Sequence, residues 1–413
     1  MSSKTGDFPF PGGSGPLDTL VASEPVREAF RFFDRHARWI DEQHLALCRI
    51  PAPTFNERAR AEWFLDQFSS FGLSARLDRA GNVIAHRADA PRSAPLVALT
   101  AHLDTVLSPS SPAQIEFARS RFHGPGVADN GAGLAALLAL ARAHAERPLS
   151  AGAATPLFVA NVGEEGEGNL SGMRFLCRPS PLLNRIRAFI VLDGPSVEHV
   201  TSEALACRRF DVFMSGPGGH SWADHGTANP VHALSRLITT FIDTRSAVRT
   251  AERCSYNFGV IDGGSTVNAI PSSARAKADL RSADPLTLDG LVAGLAAAAE
   301  AAEAAENRLA TAGRVTASIR ETGSRPGGRL SETASILNHI RTVDQHLGIR
   351  SWSDCASTDA NVPLSLGLEA ISIGAGGRGG GAHTPGEWYS PENRILGLRR
   401  ITLLLCLLLA DQG

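Results

Sequence analysis

The chain has 413 residues, of which 43% are hydrophobic and 20% charged, and its formal net charge is -2. This length favours two domains, and the balanced charge offers no basic surface for nucleic acid or for an anionic membrane. Six cysteines without C-x-x-C spacing indicate reduced thiols rather than a disulfide framework.

The start of the chain lacks the apolar core of a signal peptide. It is polar and rich in Gly and Pro, and we predict that residues 1–25 form a flexible N-terminal segment. The longest apolar run, residues 401–410, is far shorter than the roughly 20 residues that span a bilayer. We therefore expect a cytoplasmic protein in which this run forms a buried C-terminal helix.

Helices and strands alternate through the next part of the chain. Apolar residues recur every three to four positions over 26–48 and 56–72, and an Ala- and Leu-rich helix is expected over 131–145. Strands are predicted over 75–78, 83–86, 95–101, 156–162 and 187–192. This alternation is typical of an α/β domain with a largely parallel sheet.

The pattern changes near residue 206. Strands are predicted over 207–215, 254–261, 274–281 and 315–321, and helices over 229–243 and 289–309. The order βαββαβ is that of a ferredoxin-like α+β domain. A helix over 328–347 and a strand over 368–374 follow. The sequence therefore predicts a catalytic domain in two parts, 26–205 and 322–413, interrupted by an inserted domain at 206–321.

Five carboxylate and imidazole side chains, each in a local motif, could hold two divalent metal ions. They are His102 in A-H-L-D, Asp129 in V-A-D-N-G, Glu165 in V-G-E-E-G, Asp193 in V-L-D-G and His383 in G-A-H-T-P. Imidazole and carboxylate are the usual ligands of catalytic zinc. His102, Glu165 and Asp193 follow predicted strands, where open α/β sheets place their sites. Glu164, beside Glu165, could take a proton from an attacking water.

These motifs also have ordinary structural explanations. Asp129 could be the N-cap of a helix, and Asp193 a turn residue before glycine. The acidic pair 164–165 could be a solvated turn. Asp104, in the H-x-D motif, could cap a loop or accept the second ring N–H of His102. Neither a G-x-S-x-G elbow nor a G-K-[ST] phosphate loop is present, which disfavours a serine nucleophile and nucleotide binding.

Taken together, the motifs resemble the co-catalytic dizinc metallopeptidases, a group that includes peptidase T, aminoacylase, acetylornithine deacetylase and succinyl-diaminopimelate desuccinylase. The order H-x-D, D-N, E-E, D and a late H matches over nearly the whole chain beyond residue 25. The resemblance implies a zinc-exopeptidase-like α/β fold, with a mixed sheet flanked by helices. It also implies that the inserted domain is a lid and dimerisation domain, so that the protein is a homodimer.

The resemblance distributes the ligands over two metal sites. Asp129 would bridge both metals. His102 and Asp193 would complete one site, and Glu165 and His383 would complete the other. The ions would be Zn²⁺, although Co²⁺ and Mn²⁺ accept the same ligands.

The resemblance also implies roles in catalysis. Glu164 would be the general base for a metal-bridging water, and Asp104 would orient His102. His220, in G-G-H-S-W, would help to stabilise the oxyanion, commonly from the partner subunit, although it could equally be a turn residue. The residues assigned to substrate are Asn268, Arg281, Ser357, Thr358 and Asp359. Arg281 could instead belong to a surface ion pair.

The implied function is hydrolysis of a peptide or amide bond. Aspartate at the position of Asp193 resembles the aminopeptidases and dipeptidases, whereas glutamate is more usual in the deacylases. We therefore expect an exopeptidase of the aminopeptidase, dipeptidase or tripeptidase type, acting on a small peptide. The alternatives are a deacylase of N-acyl amino acids or a small-molecule amidohydrolase. A non-catalytic binding protein would need broken ligands, and none of the five is missing.

Overall fold

The computed structural model describes residues 15–149, 154–247 and 253–411. The helices in these ranges are α1 (Pro16–Ala22), α2 (Glu24–Arg35), α3 (Ala37–Cys48), α4 (Arg58–Ser70), α5 (Gly131–Glu146), α6 (Ser171–Leu176), α7 (Pro230–Ala247), α8 (Pro285–Leu309), α9 (Ser335–Leu347), α10 (Asn361–Ser365) and α11 (Arg394–Ala410).

The strands in the same ranges are β1 (Leu73–Leu77), β2 (Val83–Arg87), β3 (Leu96–His102), β4 (Glu116–Ala118), β5 (Arg121–His123), β6 (Thr155–Asn161), β7 (Ile186–Leu192), β8 (His199–Ala204), β9 (Ala206–Ser215), β10 (Gly219–His220), β11 (Cys254–Gly263), β12 (Ala269–Ile270), β13 (Ser273–Ser282), β14 (Thr316–Arg325), β15 (Gly328–Arg329), β16 (Trp352–Ala356), β17 (Glu369–Ile373), β18 (Arg378–Gly380) and β19 (Trp388–Ser390).

A mixed sheet forms the centre of the predicted catalytic domain. Among the described residues its strands lie in the order β1, β2, β6, β3, β7, β17, β8 and β15, and β16 pairs with β8. The four central strands β6, β3, β7 and β17 are parallel, whereas β2 and β8 pair antiparallel with their neighbours β6 and β17. Every residue of β3 is buried, so both faces of the sheet are covered at its centre. The predicted mixed α/β fold is confirmed.

The inserted domain has its own sheet and core. Among the described residues its strands lie in the order β11, β13, β9 and β14, all antiparallel. In chain order these are the second, third, first and fourth strands, which is the ferredoxin-like arrangement that the sequence predicts. Helices α7 and α8 pack against this sheet, around buried residues that include Phe210, Val212 and Leu295.

The inserted domain ends later than predicted. β14 continues to Arg325, which pairs with Cys207 of β9, and the chain rejoins the central sheet at Gly328. The predicted end at residue 321 therefore falls inside the last strand. The regular pattern was lost there because the pairing shifts between Glu321 and Gly323, where the strand is irregular.

Two other predicted elements differ from the structure. The chain is helical from Pro16, with Leu17 buried, so only residues 1–14 of the expected flexible segment remain, and these lie outside the described residues. The helix predicted over 328–347 begins at Ser335, because residues 328–329 form β15 instead. Strands β8 and β16 were not predicted, since their polar residues mask the pattern of a buried strand.

Helix α8 is the one helix among the described residues that is long and apolar enough to cross a membrane. Its residues Leu288, Leu291 and Leu295 are buried in the core of the inserted domain. Its first turn is capped by Asp284, whose carboxylate accepts the N–H of Thr287 at 2.7 Å. One face of this helix therefore packs within the inserted domain, and 33% of its most apolar stretch is buried there.

Candidate functional site

The five predicted metal ligands meet at the carboxyl ends of β3, β6 and β7, which carry His102, Glu165 and Asp193. Asp129 comes from the loop before α5 and His383 from the loop after β18. Nε2 of His102 lies 3.1 Å from Oδ1 of Asp129 and 3.8 Å from Oδ1 of Asp193. Nε2 of His383 lies 3.1 Å from Oδ2 of Asp129 and 3.0 Å from Oε1 of Glu165. Asp129 therefore presents one carboxylate oxygen to each histidine, as a bridging ligand requires.

Two overlapping clusters in this site fit divalent metal ions. One contains His102, Asp129 and Asp193, and the other contains Asp129, Glu165 and His383. Within each cluster, one potential ligand atom from every residue lies within 4.8 Å of the others. Imidazole nitrogen and carboxylate oxygen suit Zn²⁺, Co²⁺ and Mn²⁺. The donor set therefore fits two ions that share Asp129.

The charges of the site also favour cations. Burial lowers the pKa of His102, but the nearby carboxylates of Asp104, Asp129 and Asp193 outweigh it and raise this pKa well above its usual value. Hydrogen bonds to Asp129 and Glu165 raise the pKa of His383 to about 10. Because metal ligation needs neutral imidazole, ion binding would release protons from both rings.

Asp104 differs in part from its predicted role. Nδ1 of His102 lies 3.0 Å from the backbone oxygen of Asp104, closer than the 3.5 Å to its carboxylate. The buried carboxylate instead accepts the backbone N–H groups of Glu164 and Glu165, both at 2.9 Å, and the hydroxyl of Thr54 at 2.9 Å. Asp104 thus holds the turn that carries both glutamates, and it contacts His102 mainly through its backbone.

Asn130, rather than Asp129, caps helix α5. Its side-chain oxygen accepts the N–H of Gly133 and of Gly194, both at 3.1 Å, and its amide donates to the backbone oxygen of Leu192 at 2.8 Å. The peptide bond between Asp129 and Asn130 is cis. The cap and the link to β7 are therefore supplied by Asn130, which leaves the carboxylate of Asp129 to the site.

Glu387 fixes the loop that carries Asp129, and the sequence analysis did not identify it. Its buried carboxylate accepts the backbone N–H groups of Gly126, Ala128 and Asp129 at 2.7, 2.7 and 2.8 Å. Glu387 ends the motif A-H-T-P-G-E that begins beside His383. Its position at the end of a ligand motif was the one sequence signal for a role in the site. Its hydrogen-bond partners could not be predicted, because they are remote in sequence.

Glu164 is buried beside a second residue that the sequence analysis missed. Nη1 of Arg325 donates to Oε1 of Glu164 at 2.7 Å, and Nη2 donates to its backbone oxygen. Burial raises the pKa of Glu164 well above its usual value, and the nearby guanidinium opposes this rise. Glu164 lies near enough to His102 and Glu165 to be a ligand, but Arg325 occupies one of its oxygens.

A cavity of about 300 Å³ lies over the site. Its lining residues are Val106, Asp129, Glu164, Glu165, Gly166, Asp193, Arg209, Arg281, Arg325, Ser357 and His383. Val106 is the only large apolar side chain among the described lining residues. The cavity therefore suits a small polar ligand.

The predicted substrate residues fall into two groups. Arg281 and Ser357 line the cavity, and Nε of Arg281 donates to Asp279 at 2.6 Å, leaving its outer N–H groups for a ligand. Thr358 and Asp359 are buried and are not among the lining residues. Asp359 accepts a hydrogen bond from Asn161 at 2.6 Å, and burial raises its pKa to about 7. We therefore correct the prediction for Thr358 and Asp359: they occupy supporting positions and do not contact the substrate directly.

His220 and Asn268 lie side by side in the inserted domain but do not line the cavity. β10 and β12 form a short ribbon, in which the N–H of Ser221 donates to the backbone oxygen of Asn268 at 3.0 Å. The exposed ring of His220 accepts the N–H groups of Trp222 and Ala223, both at 3.2 Å. Within one chain, His220 and Asn268 therefore lie outside the described site.

Comparison with protein families identifies two adjacent parts of the chain. Residues 82–209 match Peptidase family M28, and residues 208–307 match the peptidase dimerisation domain of M20 type. Each family model covers less than half of the chain, and together they make it similar to metallopeptidases of the M28 and M20 types. A similar solved structure from Bacillus subtilis is described as a dinuclear metal binding peptidase of the M20 family. The matches therefore agree with the metallopeptidase family predicted from the motifs.

One curated relative matches part of the chain. A peptidase M20 domain-containing protein of Schizosaccharomyces pombe is 27% identical over 252 residues, which are 59% of this chain and 60% of that protein. The match thus spans about three fifths of the relative's length.

Solved structures of several peptidases superpose over most of their length. A tripeptidase of Staphylococcus aureus gives a TM-score of 0.73 at 19% identity, covering 90% of this chain and 98% of its own. The aminopeptidase PepT of Bacillus cereus gives 0.69 at 17% identity, covering 89% and 97%. The di-peptidase Dug1p of Saccharomyces cerevisiae gives 0.69 at 13% identity, covering 94% and 99%. At these identities the likeness establishes the fold.

Proposed function

We propose that this chain is an exopeptidase that cleaves a small peptide with two divalent metal ions and with Glu164 as the general base. One observation carries the proposal: the buried carboxylate of Glu164 stands next to two ligand clusters that share Asp129. A site built only to bind metal would not need this additional acidic group. Metal-assisted hydrolysis of an amide requires a general base next to the metal ligands, and this site has that arrangement.

The residues of the site divide the chemistry between them. Two ions in the clusters, which we expect to be zinc, would polarise the scissile carbonyl and make the attacking water more acidic. Glu164 takes a proton from this water and returns it to the leaving amine. Burial suits both steps, because a carboxyl with a raised pKa can act as an acid as well as a base. Arg281 offers a guanidinium fork to a substrate carboxylate.

The polar cavity and Asp193 favour a peptide substrate. A short peptide has charged termini and a polar backbone, which suit a lining whose described residues include one large apolar side chain. Similar structures include proteins described as a tripeptidase, an aminopeptidase and a di-peptidase. The test is a panel of dipeptides and tripeptides against N-acetyl amino acids, with protein loaded with Zn²⁺, Co²⁺ or Mn²⁺. Hydrolysis of N-acetyl amino acids alone would favour the deacylase alternative, and no hydrolysis at all would contradict the proposal.

We also propose that the protein is a homodimer formed through the inserted domain. The match to a peptidase dimerisation domain supports it. β11 lies at the edge of its sheet, and its residues Val260 and Ile261 are exposed. Trp222 and Val267, which lie close in sequence to His220 and Asn268, are exposed as well. An open edge with apolar side chains is suited to pairing with a second chain. His220 would then reach the site of the partner subunit.

Mixing inactive subunits tests this role of His220. We expect His220→Ala and Glu164→Gln homodimers to be nearly inactive. Co-refolded in equal amounts, they should regain about a quarter of wild-type activity, because half of the dimers are hybrids with one intact site. Activity of His220→Ala near that of the wild type, or no recovery on mixing, would contradict a role across the dimer. Sedimentation velocity checks that every preparation is dimeric.

Glu387→Ala should weaken metal binding without touching a ligand. The variant removes the acceptor of three backbone N–H groups in the loop that carries Asp129, so the ligand is no longer held in place. We expect metal affinity to fall about 10- to 100-fold, the usual scale for the loss of a group that orients a ligand. Competition with a chelating dye measures it. The matched control is Glu392→Ala, whose side chain is exposed, and an equal effect in both variants would contradict the assignment.

A further inference from the structure

Arg325 connects the inserted domain to Glu164. It is the last residue of β14, and its Nη1 lies 2.7 Å from Oε1 of Glu164 while its Nη2 contacts the backbone oxygen of the same residue. Both side chains are only 6% exposed. One guanidinium group therefore holds the carboxylate and the backbone of Glu164 together, shielded from solvent.

The same guanidinium also contacts a third segment. Nη1 of Arg325 lies 3.3 Å from the backbone oxygen and 3.3 Å from Oγ of Ser357, which follows β16 and lines the cavity. Three pieces of the chain meet at this group: the end of the inserted domain, the turn after β6 and the loop after β16. The position of Glu164 is therefore set from the inserted domain as well as from its own turn.

Two other cations of the inserted domain contact the turn that carries Glu164. Arg209 of β9 donates to the backbone oxygen of Gly166, and Nζ of Lys277 lies 2.7 Å from Oε1 of Glu167. Strands β13, β9 and β14, which carry Lys277, Arg209 and Arg325, are neighbours in the sheet. The pair formed by Lys277 is exposed and contributes little. Of these three cationic contacts, only that of Arg325 is buried, and it adds to the hold of Asp104 on the same turn.

We propose that Arg325 is a positioning residue for the general base, and that it holds the carboxylate of Glu164 in place when the inserted domain is docked against the catalytic domain. Arg325 uses only Oε1. Among the described residues no donor is hydrogen-bonded to Oε2, which is therefore left to take the proton. Charge-assisted hydrogen bonds fix one side-chain geometry, and a base displaced by about 1 Å can lose about 10²-fold in rate. The inference rests on the proposed role of Glu164 and deepens it.

The first test compares two arginines of the same strand in the full-length, metal-loaded protein. We expect Arg325→Met to lower kcat about 10- to 100-fold while KM and metal content change little, because the base is displaced and the ligands are not. Arg325→Lys should restore part of kcat by supplying one charged donor. The control is Arg320→Met, which loses an ion pair to Asp211 inside the inserted domain and should keep wild-type kinetics. Wild-type kcat in Arg325→Met would overturn the proposal.

The second test asks whether Arg325 acts through Glu164. In a Glu164→Gln background, Arg325→Met should lower the residual rate no further, because the group that it positions is already lost. A purely structural role would reduce the rate by the same factor in both backgrounds, and that result would overturn the proposal. If Arg325→Met does not fold, Arg325→Ala is assayed with added guanidinium ion. Saturable recovery of kcat supports the proposal and its absence contradicts it.

The two inferences can fail separately. Full activity of Glu164→Gln would remove the proposed base, and the role of Arg325 with it. Loss of activity in Glu164→Gln together with normal kcat in Arg325→Met would leave the proposed function standing and remove only the positioning role.

Discussion

Replacing Glu164 with glutamine is expected to lower kcat by about 10²- to 10⁴-fold, the contribution of a positioned general base. The carboxamide has nearly the same shape and can still accept a hydrogen bond from Arg325, but it cannot take a proton from water. The five candidate ligands are unchanged, so both metal ions should stay bound. Steady-state kinetics on whichever peptide is hydrolysed, together with elemental analysis of the purified protein, measure the two effects independently.

The control for this substitution is Glu62→Gln, which alters an exposed glutamate on α4 paired with Arg58. It should keep the activity and metal content of the wild type. Normal turnover in Glu164→Gln would show that another group is the base. Loss of metal from Glu164→Gln would instead make Glu164 a ligand, an outcome that its closeness to His102 and Glu165 allows.

The candidate ligands could be predicted because each is placed by local structure. His102 ends a strand in which every residue is buried, and Asp193 directly follows a strand that is buried except at Arg187. The apolar pattern alone therefore puts both residues at the same edge of the sheet. Glu164 and Glu165 follow the third run in the same way. Strand ends are visible in sequence, and parallel strands bring their ends together.

The groups that support the ligands could not be predicted because their partners are distant in the chain. Arg325 and Glu164 are 161 residues apart, and Glu387 and Gly126 are 261 apart. Such contacts depend on how the inserted domain and the loops near the end of the chain pack on the sheet. The periodicity of apolar residues in the sequence does not predict this packing. Asp359 shows the opposite error: a polar residue in a motif near the site was taken for a substrate contact, but it is buried beneath other residues.

The substitution with the largest expected effect on stability lies away from the site, in the buried pair of Arg400 and Asp344. Arg400 on α11 is fully buried, and its Nε and Nη2 donate to the two carboxylate oxygens of Asp344 on α9 at 2.6 and 2.7 Å. Ser351 donates to the same carboxylate at 2.5 Å. The pair joins two helices of the catalytic domain without access to solvent, so neither charge can be hydrated if the other is removed.

We expect Asp344→Ala to lower the free energy of unfolding by about 3–5 kcal/mol, the usual cost of leaving a buried charge unpaired. Asp34→Ala is the matched control, because it breaks the more exposed pair with Arg399, and such pairs contribute less than about 1 kcal/mol. Urea unfolding followed by circular dichroism compares the two variants. The double variant Arg400→Met/Asp344→Leu should recover most of the loss, since an apolar pair of similar volume needs no counter-charge. If the double variant is as unstable as Asp344→Ala, the loss comes from packing and not from the unpaired guanidinium.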